Sequence, residues 1–247
     1  MKKKLKNYLF FYLLILIGFS YFFLFIKHNV ANDSTISEWL INYEGGFTKR
    51  GLIGQFVIEL SRIFQSNLRW VIFLLQSLAC TLYFFLLYKL LRNLKFERII
   101  ILSIFTPIFI LYPIAEIEVL ARKEILVFSL FIAYLLIPRK SKYKIFSLTI
   151  FTFLSILIWE PIIFFFPLII IMEIIENNIE KLNFIFFKII LSFIPSLFVV
   201  FFIILFPLTI EEHNEMTFIL KHEFGEDCYM SCYLLISKSS LLQKFEG

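Results

Sequence analysis

The residues best suited to chemistry lie in a glycine-rich segment, residues 42–55, with the sequence NYEGGFTKRGLIGQ. Glu44 supplies a carboxylate that can act as a general base, and Lys49 and Arg50 supply adjacent donors for an anion. Glycine lets a backbone turn tightly or approach a ligand closely, and the segment holds Gly45, Gly46, Gly51 and Gly54. The segment predicts a clamp for a phosphate or pyrophosphate headgroup. The alternative is a tight turn whose two cations reach lipid phosphates.

An amphipathic helix is predicted directly after Arg50. Seven apolar residues fall on one helix face: Leu52, Ile53, Phe56, Val57, Leu60, Ile63 and Phe64. Polar residues at spacings of three and four form a stripe: Gln55, Glu59, Arg62 and Ser66. Such a helix lies half-buried at a membrane interface, and its first turn presents free N–H groups beside the two cations.

A second group of charges, Arg122, Lys123 and Glu124, is followed by fourteen apolar residues. Fourteen residues at about 1.5 Å each are too short to cross a hydrocarbon core of about 30 Å. We therefore expect the helix to begin near Glu118 and to carry Arg122, Lys123 and Glu124 below or at the outer boundary of the bilayer. Helical spacing predicts pairs of Glu118 with Arg122 and of Glu116 with Lys123. The alternative is a solvated helix end with weak, exposed pairs.

The third candidate is Glu160, which stands between Trp159 and Pro161 in a long, mostly apolar stretch, residues 145–172. Proline breaks or kinks a helix, so a broken helix is predicted here. A carboxylate inside a membrane is costly without a partner and is usually functional. Glu160 is therefore either a buried acid that meets a cation or a residue at the lip of a broken helix that meets water.

The composition places these groups in a helical membrane protein. The chain is 60% hydrophobic and 17% charged, which excludes a water-soluble globule. We predict an all-α, polytopic bundle that forms one transmembrane domain over residues 1–247. About six spans are expected: residues 8–26, 70–88, 99–115, 118–138, 145–172 and 189–210. The net charge of +5 sits in short clusters beside apolar runs, which favours lipid contact over nucleic-acid binding.

Basic clusters set the orientation. Four lysines occupy residues 1–6, and further cations occupy residues 89–98 and 139–144. The positive-inside rule places all three segments in the cytoplasm, with an uncleaved N-terminal anchor. The glycine-rich segment, the Arg122–Glu124 group and Glu160 then face the outer leaflet together.

Two topologies remain open for the acidic tail after residue 210. Counting spans places the tail inside, whereas its negative charge favours the outside. A re-entrant hairpin around Glu160 and Pro161 would place the tail outside. The chain stops soon after a short polar stretch, which is expected of a truncated copy of a longer protein.

Cysteine and histidine give little further chemistry. Cys228 and Cys232 are close enough to pair if the tail is extracytoplasmic. Together with His213 and His222, they match no common zinc spacing, so we expect neither a metal nor a cofactor.

The segment YEGGFTKRGLIG, residues 43–54, followed by Arg122-Lys123-Glu124 and an acid before Pro161, resembles polytopic proteins of bacterial surface-polysaccharide gene clusters. These short motifs lie between about residues 39 and 167. Such proteins often carry Val-Arg-Arg at residues 48–50 and His-Glu at residues 159–160, where this chain has Thr-Lys-Arg and Trp-Glu. The resemblance extends by analogy to GT-C-type glycosyltransferases and O-antigen polymerases. It implies a bacterial inner-membrane protein that acts outside the cytoplasm on polyprenyl-linked sugars.

We therefore hypothesise a membrane glycosyltransferase or polymerase whose partners are the bilayer and a polyprenyl-phosphate-linked sugar. The acids Glu44, Glu160 and Glu124 are candidates for removing a proton from the acceptor hydroxyl. The phosphate candidates are Lys49, Arg50, Arg122, Lys123, Gly45, Gly46 and Gly51. The competing classes are a transporter or flippase for a lipid-linked intermediate and a noncatalytic membrane subunit.

Overall fold

The computed structural model describes residues 2–30, 33–92, 94, 98–105, 117–138, 141–176, 182–228, 230–233 and 235. Every regular element in these ranges is helical. The α-helices are α1 (Lys2–His28), α2 (Ser34–Leu40), α3 (Gly51–Phe64), α4 (Leu68–Leu91), α5 (Arg98–Phe105), α6 (Glu124–Leu135), α7 (Lys144–Ile158), α8 (Phe166–Glu176), α9 (Leu182–Leu205), α10 (Ile210–Phe224) and α11 (Met230–Tyr233). Short 3₁₀ helices cover Ile117–Val119 and Glu160–Phe165.

Three of these helices are long and apolar enough to cross a membrane: Leu5–His28, Leu68–Leu91 and Phe186–Leu205. Glu124–Leu135 and Lys144–Ile158 are shorter apolar helices. Large apolar side chains on the outer faces of α1 and α9 stay uncovered: Phe11, Phe22, Phe198 and Phe201. A continuous apolar surface of this kind is unfavourable in water and favours a membrane environment. The count of six spans stays a prediction, since residues 106–116 lie outside the described residues.

The helices pack side by side around two buried apolar clusters. One cluster joins α1, α2 and α4, with Trp39, Ile72 and Phe84 at its centre. The other joins α6 to α9 through residues such as Tyr134 and Phe193. Contacts between α4 and α6 connect the two halves.

Helix α3 begins at Gly51, directly after Arg50 as predicted, but its packed face differs from the predicted one. The residues that it buries are Gly51, Gly54, Val57, Ile58 and Ser61. Three residues of the predicted apolar face are exposed: Phe56, Ile63 and Phe64. Small residues let the helix approach its neighbours closely, which leaves the large apolar side chains pointing outward. That α3 lies at a membrane interface stays a prediction.

The predicted break at Glu160 and Pro161 is present and reverses the chain. Trp159 is extended, with φ −156° and ψ 97°, and the 3₁₀ helix follows it. Helix α8 then returns to the start of α7, where Glu173 lies 3.9 Å from Lys144 Nζ and accepts a hydrogen bond from the Tyr134 hydroxyl. The chain thus forms a hairpin with its turn at Glu160, and the side of the membrane on which the tail lies stays a prediction.

The hairpin brings α9 and the tail to the end of the bundle that holds the glycine-rich segment. Phe202, near the end of α9, contacts Phe47 edge-on with ring centroids 6.3 Å apart. The tail then folds over α2, where Ser37 Oγ donates to Ser231 Oγ at 2.9 Å. A disulfide joins Cys228 to Cys232 beside this contact, so the pairing that the sequence left possible is formed.

The helix predicted to begin near Glu118 begins instead at Glu124, and this prediction is wrong. A 3₁₀ turn precedes it, and Ala121 adopts a left-handed backbone with φ 52°. A non-glycine residue in this region interrupts a helix, because the next turn cannot continue the hydrogen-bond ladder. Arg122 and Lys123 therefore lie in a connecting loop and not on a helix face.

Candidate functional site at the charged end of the bundle

Seven charged side chains meet where α2, α3, α6 and the hairpin turn converge. We call them the charged cluster: Glu38, Lys49, Arg50, Arg122, Lys123, Glu124 and Glu160. The cluster unites three of the sequence segments that were predicted to converge. Four of its side chains are basic and three are acidic.

Arg50 is the centre of the cluster. Its guanidinium holds Glu160 through two hydrogen bonds, Nε to Oε2 at 2.7 Å and Nη2 to Oε1 at 3.0 Å. Its third nitrogen, Nη1, donates to Glu38 Oε1 at 3.1 Å. Paired N–H···O bonds of this kind are strong and fix geometry. Arg50 therefore ties the hairpin turn to α2.

Glu38 bridges two arginines, because its Oε1 also accepts from Arg122 Nη2 at 2.8 Å. Asp33 caps the helix that carries Glu38 by accepting from the backbone N–H groups of Thr35 and Ile36. The short helix thus holds a buried carboxylate in place between two cations.

Lys123 fixes the backbone of the glycine-rich segment. Its ammonium is fully buried and donates to the carbonyl oxygen of Arg50 at 2.6 Å. Burial lowers the pKa of Lys123 to about 7. Arg50 itself has a left-handed backbone, with φ 63°, which is unfavourable for a non-glycine residue. The bond from Lys123 stabilises this conformation, which aims the Arg50 side chain at Glu160.

Glu124 and Arg122 border a cavity of about 280 Å³. The other wall is apolar and includes Phe128, Trp159 and Phe165. Glu124 Oε1 lies 3.5 Å from Arg122 Nη2, whereas Glu124 Oε2 and Arg122 Nε are buried without a hydrogen-bond partner. Buried polar atoms are nearly always paired, so these two atoms have capacity left for a ligand.

Lys49 lies at the outer edge of the cluster. Its Nζ is 3.8 Å from Glu160 Oε1, and about a third of the side chain is exposed. An exposed ammonium at this distance contributes little to stability and remains available to an anion.

Glu44 does not join the charged cluster. Arg62 holds both of its oxygens, at 2.8 and 3.0 Å, and Gln55 Nε2 donates to it at 2.8 Å. Arg62 also makes two 2.7 Å hydrogen bonds to Glu223 of α10. The Arg62 hydrogen bonds lower the pKa of Glu44, which makes Glu44 a weaker base than an unpaired carboxylate. Glu44 therefore acts in this structure as an anchor for the tail.

This pairing predicts a pH dependence. The folded pKa of Glu44 lies below its ordinary value of 4.5, so its stabilising effect is present above pH 4.5 and is lost as pH falls through the lowered pKa. We expect the difference in unfolding temperature between the wild type and Glu44→Gln to shrink as pH falls below about 4.5. Thermal unfolding in detergent between pH 7 and pH 3 measures it. A difference that is constant over this range would show that the Glu44 pair has no effect on stability.

Three glycines of the predicted phosphate clamp, Gly45, Gly46 and Gly51, pack closely against other parts of the protein. A Cβ on Gly45 would lie 1.9 Å from the carbonyl oxygen of Glu212, in α10. Gly46, with φ 141°, also faces Glu212, and a Cβ on Gly51 would lie 2.1 Å from the Tyr43 ring. These glycines let α10 and Tyr43 approach the segment closely.

Of the two predicted pairs of the second charged group, Glu118 with Arg122 does not form, and Glu116 with Lys123 stays a prediction. Glu118 lies 4.0 Å from Lys27 and Arg122 pairs with Glu38 instead, while Glu116 lies outside the described residues. Sequence reasoning did not select Glu38 or assign Arg62 a partner. The available signal for Glu38 was an acid in a short segment that follows Asp33, a residue type that caps helices.

Protein-family models, curated protein sequences and solved structures were compared with the chain, and none of them matches it. The function therefore has to be argued from the geometry of the charged cluster and of the cavity beside it.

Proposed function

We propose that the protein is a multi-pass membrane protein of bacterial cell-surface polysaccharide assembly that transfers a sugar from a polyprenyl-phosphate-linked donor. The observation that carries this proposal is the cavity beside Glu124 and Arg122, which has one charged wall and one aromatic wall. A sugar phosphate on a lipid presents the same two chemistries, an anionic head and an apolar tail. Transfer outside the cytoplasm needs neither a nucleotide nor a metal from the protein.

The donor phosphate binds beside Arg122 and Lys49, whose charges offset the negative charge that develops on the leaving phosphate. Glu124 Oε2, which has no hydrogen-bond partner in the structure, takes the proton of the acceptor hydroxyl. The acceptor oxygen forms a bond to the anomeric carbon, and the bond from that carbon to the phosphate oxygen breaks. Polyprenyl phosphate leaves with the bonding electron pair.

The remaining members of the charged cluster position these groups. Arg50 holds Glu160 and Glu38, and Glu38 in turn holds Arg122 at 2.8 Å. Lys123 holds the Arg50 backbone. A rigid supporting network of this kind is what a preorganised site requires.

The proposed location is the inner membrane, with a cytoplasmic N-terminus and the charged cluster facing outward. The basic segments support this orientation. The Cys228–Cys232 disulfide also supports it, since disulfides persist in oxidising compartments and the bond lies at the end of the bundle that carries the cluster.

The substitution Glu124→Gln tests the proposal. It preserves shape but removes the base, so kcat is expected to fall by about 10²–10⁴-fold with unchanged thermal stability. The assay follows transfer of a radiolabelled hexose from a polyprenyl-phosphate carrier by protein in lipid nanodiscs. Glu118→Gln, in the 3₁₀ helix that precedes α6 and with a side chain that is 77% exposed, is the matched control.

The assay also separates the competing classes. Movement of the labelled lipid between leaflets without a new glycosidic bond would contradict the proposal and identify a transporter. Neither transfer nor movement by the purified protein would indicate a noncatalytic subunit. If Glu124→Gln retained wild-type activity, Glu124 would not be the general base.

A further inference from the structure

An apolar groove of about 330 Å³ runs between α6 and the returning arm of the hairpin. Its lining includes Phe128, Phe131, Trp159, Phe165, Leu168 and Met172, and every one of its lining residues is apolar. Its inner wall is buried, with Ile162 and Ile169 each about 5% exposed. The groove therefore offers a binding surface for hydrocarbon.

The groove adjoins the cavity of the charged cluster. Phe128, Trp159 and Phe165 line both. A ligand that occupies both spaces would lie with one end at Arg122 and Glu124 and the other end toward Met172. An amphiphile matches these two surfaces when its anionic head lies at Arg122 and its hydrocarbon chain lies along the apolar lining.

The groove also opens toward the exposed side of the bundle. Leu168 and Phe165 are 61% and 45% exposed at its mouth, beside Phe164, which is almost fully uncovered. Because this side is apolar, a lipid can enter sideways from the bilayer without passing through water.

The hairpin break creates this arrangement. The extended backbone at Trp159 and the following 3₁₀ helix send Glu160 toward Arg50 and place Phe165 at the groove. One irregular segment thus positions both the charged and the apolar part of the site.

We propose that this groove, extending from Phe128 to Met172, binds the isoprenoid chain of the lipid-linked donor, which enters laterally between α6 and α8. This inference rests on the proposed function, since it names where the lipid part of that donor lies. Its volume is near the lower end of the range of about 300–1,000 Å³ for ligand pockets, so it holds the part of a single chain that lies next to the head group. The anionic head then lies beside Arg122.

The groove is tested with a polyprenyl monophosphate that carries a photoreactive diazirine on one of the isoprene units nearest the phosphate, in phosphatidylcholine nanodiscs. We expect cross-links in α6 and α8. Leu168→Trp fills the mouth and should reduce labelling by at least about tenfold, a loss equivalent to about 1.4 kcal/mol of binding free energy. Leu197→Trp, on the exposed face of α9, should label as the wild type does.

A second variant avoids any effect on folding. Leu168→Cys is purified and then modified with a benzyl thiosulfonate, so the same folded protein is compared before and after the groove is filled. Of the natural cysteines, Cys80 is buried and Cys228 and Cys232 are joined, so the new thiol reacts selectively. Labelling should fall only after modification.

Two results would overturn the inference: labelling that Leu168 modification leaves unchanged, or equal competition by a diacyl phosphatidic acid. The binding assay uses no sugar and therefore separates this inference from the proposed function. Labelling in the groove without sugar transfer would leave the lipid site standing and reject the enzyme. Sugar transfer with cross-links elsewhere would retain the enzyme and reject the groove.

Discussion

Arg50→Gln is expected to destabilise the protein by about 3 kcal/mol, the lower end of the range for breaking a buried ion pair. The change leaves Glu160 without its two short hydrogen bonds and Glu38 without one of its two arginines. The lower end applies because the side chains of Arg50 and Glu160 are about one-fifth exposed, so water solvates part of the freed charge. Unfolding of the purified variant in detergent, with denaturant titration, gives the free energy.

Lys49→Gln is the control for Arg50→Gln. It removes the neighbouring cation, whose Nζ is 3.8 Å from Glu160, and should cost less than about 1 kcal/mol. A double-mutant cycle with Glu160→Gln isolates the pair, and the double variant should be more stable than the sum of the single effects predicts, by at least about 1 kcal/mol. Additive effects would show that the Arg50–Glu160 contact does not contribute to stability.

Gly54→Ala is expected to cost about 3 kcal/mol or more, at the upper end of overpacking effects. An added Cβ would lie 1.9 Å from the carbonyl oxygen of Ile41 and 2.9 Å from that of Trp39. Both contacts are with backbone atoms, so no side-chain rotation can relieve them. Helix α3 therefore has to move away from the backbone of Trp39 and Ile41. This displacement shifts Arg50 as well. Unfolding free energy and sugar transfer should therefore fall together.

Gly18→Ala is the matched control, because Gly18 also lies inside a helix and a Cβ there meets nothing within 4 Å. Alanine is the better helix former by about 1 kcal/mol, so Gly18→Ala should be neutral or stabilising. If Gly54→Ala proved as stable as Gly18→Ala, α3 would not pack against the Ile41 backbone as closely as the structure shows.

Local patterns predicted the long helices and the break well. Uninterrupted apolar runs placed residues 8–26 and 70–88 within α1 and α4, because hydrophobic length is a property of one segment. Pro161 predicted the interruption that the structure shows between α7 and α8, since proline removes a backbone donor wherever it stands.

The partners of the charged residues could not be predicted in the same way. Glu44 stands close to Lys49 in the chain, yet it pairs with Arg62, which is 18 residues away and also binds Glu223, a further 161 residues along the chain. Such pairings depend on how whole helices pack, as with Glu38 and Arg122 across 84 residues. The start of α6 was predicted wrongly because the left-handed backbone of Ala121 cannot be recognised from the hydropathy of the sequence.

The tail makes several of its contacts with residues from the first third of the chain. Ser231 bonds to Ser37 across 194 residues, and Glu226 binds Arg69 across 157 residues. During biosynthesis the early helices are therefore inserted long before these partners have been translated. An insertion intermediate that stops before α10 lacks the carboxylates of Glu223 and Glu226 for Arg62 and Arg69. Such an intermediate keeps the pair of Arg62 with Glu44 but leaves Arg69 without its carboxylate partner, which makes maturation of this end the last step of biogenesis.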